Sequence, residues 1–196
     1  MLDDLFALPS TAFWPELARQ IGGAYTPGSL LQFGSLRLQH HQWTILLDIW
    51  KQGKSYNTRM RARFLNRNGF WFTVYPQGAI STARKWLGIQ DIVVGHASFD
   101  DEFIIQGNDK SNLKQLFDNQ RLRFLLQSLG AVHFSIADQD HSYWGVPEGV
   151  HELCLTTREH PGQMATFQQL FELFTETLDE LRRLGTIAQD DPGVAI

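Results

Sequence analysis

A single cysteine among 196 residues leaves Cys154 without an intramolecular disulfide partner, so no covalent staple supports the fold. Its setting in the apolar run HELCLTT is that of a small buried hydrophobe, and a reducing compartment suits it. Charge is scarce as well, at 19% of residues. A formal net charge of −4 and a pI near 5.9 remove the global electrostatic pull that nucleic-acid binding draws on. No apolar run approaches the roughly 20 residues that span a bilayer, so no integral membrane segment is expected. The start, MLDDLFALPSTAFW, carries two aspartates where a signal peptide carries positive charge, and its apolar residues are scattered. The expected location is cytoplasmic.

Catalytic and nucleotide signatures are missing too. No G-x-S-x-G elbow occurs, and the lone cysteine lacks the electropositive setting that activates a thiolate. GAISTARK offers Ser81 and Thr82 at a helix start, but one glycine without a phosphate-loop pattern is weak. No cofactor is expected. Nor is a metal: on a strand the adjacent His40 and His41 face opposite ways, and DQDH, Asp138 to His141, lacks the glycine and distal glutamate of a calcium loop. His96 and His133 sit beside apolar strand residues and read as structural histidines.

What the chain has in quantity is aromatic and aliphatic bulk. Hydrophobic residues make up 43% of it, with six Trp and fourteen Phe, enough for a large core without metals or disulfides. The expectation is a single domain over residues 1–185 followed by a flexible tail, 186–196.

The hydrophobic period changes along the chain. Trp14, Leu17, Ala18 and Ile21 recur at helical spacing, with Pro15 in the first turn and Gly22–Gly23 ending the helix. LQFGSLRL and WTILLDIW then predict a hairpin around QHHQ, with Trp43, Ile45, Leu47 and Ile49 on one face. SYNTRMRARFLN alternates: Tyr56, Thr58, Met60, Ala62 and Phe64 point one way, Asn57, Arg59, Arg61 and Arg63 the other. FWFTVYP returns as the next strand. ISTARKWLG predicts a helical turn or two, and DIVVG and EFIIQG a pair of short strands. Asp109 or Ser111 caps a helix that breaks at Asp118 and Asn119 and resumes through Leu122, Leu125, Leu126 and Leu129. AVHFSIAD and HELCLTT are further strands. From Gln163 to Leu184, Met164, Phe167, Phe171, Phe174, Leu178 and Leu181 alternate at three and four residues. Leu170, Leu173 and Leu184 widen the stripe, which favours packing on a sheet, with self-association as a second use. The fold class predicted is α+β: a mainly antiparallel sheet packed against helices, with a long C-terminal amphipathic helix.

Two stretches could carry chemistry. Asp100, Asp101 and Glu102 lie side by side in HASFDDEFIIQGND, but paired carboxylates work as acid and base only when they converge on one cleft. An unbroken strand would bury Asp101 with Phe99, Phe103 and Ile105, so a turn or bulge near Ser98 to Asp101, with carboxylates capping backbone amides, is the more economical reading. The second stretch is the row Arg59, Arg61 and Arg63, projecting from one strand face at intervals of roughly 6.6 Å. Such guanidinium groups grip phosphates or carboxylates, or pair with acids on neighbouring strands, for which Asp48, Asp100 and Glu102 are available. Trp50, Trp71 and Tyr75 stand near enough in sequence to line a groove.

As an ordered set, YNTRMRARF, GFWFTVYPQG, LGIQDIVVG, FDDEFIIQGND and FELFTETLDELRRLG resemble blocks of a family of uncharacterised bacterial proteins of the domain-of-unknown-function type, from Trp14 to Gly185. The resemblance implies one continuous domain. It brings no established activity and no site residues. The functional expectation is a non-enzymatic binding or interaction module using the arginine face for a small anionic ligand, or the C-terminal helix for self-association. The alternatives are an enzyme or carrier with an acid/arginine cleft, and a peripheral binder of anionic lipid.

Overall fold

The computed structural model describes residues 13–28, 34–52, 55–78, 90–136, 147–157, 163–188 and 193. The helical turn expected in ISTARKWLG, the DQDH cluster, most of the C-terminal tail and the side chains of Trp50 and Tyr56 lie outside the described residues.

Helix α1 (Phe13–Ile21) is followed by strands β1 (Ala24–Thr26), β2 (Ser35–His40), β3 (Trp43–Gln52), β4 (Ser55–Leu65) and β5 (Phe72–Pro76). After them come α2 (Ala97–Glu102), β6 (Phe103–Gly107), α3 (Lys110–Phe117), α4 (Gln120–Leu129), β7 (Val132–Ile136), β8 (Val150–Thr157) and α5 (Met164–Arg183). The strands form one eight-stranded sheet in the order β1-β2-β3-β4-β8-β7-β5-β6, antiparallel at every pairing. This is the predicted α+β architecture.

The period of two puts one side of each strand under the helices. Met60, Ala62 and Phe64 of β4, Leu153 and Leu155 of β8, and Val132, Phe134 and Ile136 of β7 are buried in one cluster with Trp14 and Leu17 of α1, Leu113 and Phe117 of α3, and Leu122 and Leu126 of α4. The long stripe of α5 joins them, burying Phe167, Leu170, Phe171, Leu173, Phe174, Leu178 and Leu181. Its breadth suits packing on a sheet, as the pattern predicts. Ring contacts tie the core: Phe134 lies 5.5 Å from Phe72 edge to face within the sheet and 6.0 Å from Phe174 of α5 across the layers, between centroids.

The break between α3 and α4 has two caps. Asp109 accepts from the backbone N–H groups of Ser111 and Asn112, and Asn119 from those of Arg121 and Leu122, so each helix has its own side-chain start.

Three expectations need revision. DIVVG keeps one bond to β6, from Ile92 N–H to Ile105 O, but forms no strand, because the amides of Val94 and Gly95 donate to the Asp100 carboxylate instead of a ladder. Residues 97–102 wind as a short helix rather than a turn or bulge. At the other end, Thr186, Ile187 and Ala188, assigned by sequence to the tail, are buried. Arg67 N–H donates to Thr186 O and Ala188 N–H to Leu65 O, which ties the segment after α5 to the end of β4.

Phe134→Ala removes the ring that makes both contacts and should cost about 3–5 kcal/mol in urea unfolding. A loss below about 1 kcal/mol would show that the sheet–helix contact does not depend on it.

Candidate functional site

On the side of the sheet away from the helices, alternation gathers polar groups. Backbone register sets Asp48 opposite Arg59, Arg59 opposite Thr156, and Thr156 opposite His133. A second row runs through Leu46, Arg61, Cys154, Ser135, Thr73 and Gln106. Arg63 faces Glu152.

The three arginines do not project as a free comb. Arg59 grips Asp48 with both arms of its fork, at 2.9 Å from Nε and 2.8 Å from Nη2, and Arg61 Nη2 reaches the same carboxylate at 2.7 Å. Glu152 receives Arg63 Nε at 3.3 Å and lies 3.9 Å from Arg61 Nη1. The arginine side chains keep only 15–17% of their exposure, Asp48 18% and Glu152 8%, so the network is largely withdrawn from solvent. Two of its atoms remain shielded with no hydrogen-bond partner among the described residues: Arg61 Nε and Glu152 Oε1.

The neighbouring strands extend this polar surface. Thr73 Oγ1 and His133 Nε2 share a hydrogen bond at 2.9 Å, and Tyr75 stacks on His133. Burial, then the charge of Asp91, pushes the Tyr75 phenol above its ordinary pKa, which keeps it protonated. Cys154 sits between Arg61 and Ser135. Desolvation, reinforced by the Glu152 carboxylate, holds its thiol up to about 12, so it is not a thiolate nucleophile at neutral pH.

The acid cluster lies elsewhere, in the helical layer. The Asp100 carboxylate accepts from the backbone N–H groups of Val94, Gly95 and His96, each at 2.9 Å, which is the capping role expected of it. Asp101 is exposed, and Glu102, also exposed, accepts from Gln127 at 2.9 Å. These acids and the arginines occupy opposite layers and share no contact among the described residues. His96 is engaged with Asp118 and Arg123, each at 3.1 Å.

Of the proposed pairing acids, Asp48 meets the arginines and Asp100 and Glu102 do not. Glu152 takes their place, unnoticed in sequence because HELCLTT reads as one apolar run. The signal was there: Glu152 alternates with the core-facing Leu153 and Leu155, so it must emerge on the arginine side.

No protein-family model matches the chain, and no curated protein matches it in sequence. Its fold is similar to that of the mycobacterial trehalose monomycolate transport factor A, at TM-score 0.52 and 8% identity, over 86% of this chain and 92% of that one. Among the described residues, no helix is long and apolar enough to cross a membrane.

Asp48→Asn leaves two withdrawn guanidinium groups short of their shared carboxylate and should cost about 2–3 kcal/mol in chemical denaturation; a loss under about 0.5 kcal/mol would reduce the network to an ordinary surface pair. Cys154 should resist thiol reagents at pH 8 in the folded protein and react rapidly once unfolded. Equal rates in both states would contradict the raised thiol pKa.

Proposed function

We propose that the protein is a non-enzymatic binding module that holds a small anionic ligand on the arginine-bearing face of its sheet, in the cytoplasm and without nucleic acid as a partner. The observation that carries this reading is a shielded donor, Arg61 Nε, and a shielded acceptor, Glu152 Oε1, neither with a hydrogen-bond partner among the described residues, on side chains that approach to 3.9 Å between Nη1 and Oε2. Leaving such atoms unmet costs about 1–3 kcal/mol each. A group that both accepts and donates satisfies the pair, for example a monoprotonated phosphate, or a carboxylate with an adjacent hydroxyl. Among the described residues, the guanidinium groups of Arg59, Arg61 and Arg63 meet the carboxylates of Asp48 and Glu152, and guanidinium forks of this kind recognise anions.

The other readings gain less support. An acid/arginine cleft would need Asp100, Asp101 or Glu102 beside an arginine; Asp100 is engaged by three backbone amides, and the exposed Asp101 and Glu102 lie in the helical layer, away from the arginine face. A peripheral contact with anionic lipid would need exposed arginines rather than withdrawn, paired ones. Self-association through α5 would have to use its polar outer side, because its apolar stripe is buried within its own chain. The neighbour's name, a transport factor, accords with a binding or carrier role, although a likeness at 8% identity carries the fold alone.

Isothermal titration with inorganic phosphate and with citrate at low ionic strength tests the reading. Saturable binding by the wild-type chain should weaken at least about tenfold in Arg61→Gln, a change of about 1.4 kcal/mol. Absence of binding to either anion by folded wild-type protein would defeat it. Binding only to vesicles of anionic lipid would move the site to a membrane surface.

A further inference from the structure

We propose a second site, independent of the arginine face: His40, His41 and Asp179 form a binding site for a divalent transition metal of the zinc class. Sequence neighbours on a strand diverge, but His41 leaves the strand. It takes a left-handed conformation, φ 52°, in the two-residue turn between β2 and β3. That rotation brings its ring back beside His40, with centroids 4.4 Å apart. Asp179 of α5 completes the group from across the core, 3.2 Å from His40 Nε2 through one carboxylate oxygen and 3.3 Å from His41 Nε2 through the other.

The geometry is that of ligands sharing a point rather than of a satisfied hydrogen-bonded set. All three ligand atoms lie within 4.8 Å of one another. The edge of a tetrahedron with metal–ligand bonds of 2.0–2.1 Å is roughly 3.3 Å; each imidazole stands at about that distance from one of the two carboxylate oxygens, and a small rotation of the rings or the carboxylate brings both onto a single oxygen. His40 Nε2 and Asp179 Oδ1 are shielded from solvent, yet neither makes a hydrogen bond among the described residues. Asp179 also stands in the last turns of α5, where the helix dipole disfavours a negative charge and a cation relieves it.

Two imidazole nitrogens and one carboxylate oxygen suit zinc, cobalt or nickel better than calcium or magnesium, which prefer all-oxygen shells. Three protein ligands leave a fourth position for water or another ligand. A bound ion would clamp α5 to the β2–β3 hairpin. Arg182 opposes it, with its guanidinium 3.5 Å from Asp179 Oδ1. That side chain is exposed and can turn away.

The test uses the full chain, titrated with Co²⁺ followed by visible absorption, and with Zn²⁺ in competition with a chelator. His41→Asn keeps a residue that tolerates the left-handed turn while removing the imidazole, and Asp179→Asn keeps the shape of the acid. One Co²⁺ per chain with tetrahedral absorption is expected, and a Tm raised by about 5 °C or more at saturating Zn²⁺. Either substitution should weaken binding more than about tenfold, while Arg182→Gln should tighten it. The proposal is overturned if folded wild-type protein binds neither ion saturably, or if both asparagine variants bind as tightly as wild type. Either result would make the three side chains an ordinary imidazole–carboxylate ion pair.

Discussion

The carboxylate of Asp48 is the constraint on which the sheet depends. It takes a two-armed contact from Arg59 directly across the ladder and a third bond from Arg61 two residues further along. Guanidinium groups this far out of water need a fixed partner, because an unpaired one costs more than the pair contributes. The same alternation sends Met60, Ala62 and Phe64 into the core. A slip of one residue between β3 and β4 would therefore push charge into the apolar layer and aliphatic groups onto the ionic one. Both faces thus enforce one register, and β8 repeats it with Glu152 outside and Leu153 and Leu155 inside.

The helical layer has its own economy. α5 lays a broad aromatic and aliphatic stripe on the sheet, and the short helices carry side-chain caps where the chain reverses between them. Asp100 organises the loop before α2 by accepting from three successive amides. Among the described residues, two places gather polar groups that the packing of the core does not use. One is the arginine face, the other the hairpin turn where His40 and His41 meet Asp179 from α5.

Much of the fold was legible because period and composition agreed. The alternation of SYNTRMRARF fixed which side of β4 faces the helices, and the three–four spacing from Met164 to Leu181 located the closing helix. The failures share a cause, which is that local backbone conformation overrides sequence spacing. DIVVG looks like a strand until a carboxylate outside it takes its amides. His40 and His41 were expected to diverge, and the left-handed turn at His41 brings them together. The arginine row was visible, but its partners were not: Glu152 lies 89 positions from Arg63 in sequence, and only the pairing of β4 with β8 joins them.

The central claim is that the arginine face is a binding face rather than a self-contained ionic lattice. A high-resolution crystal structure grown in the presence of phosphate addresses it most directly. The account predicts a monoprotonated phosphate that accepts a hydrogen bond from Arg61 Nε–H and donates one through its P–OH to Glu152 Oε1. A lone ordered water bridging those two atoms, with no anion on the face at saturating phosphate, would contradict it.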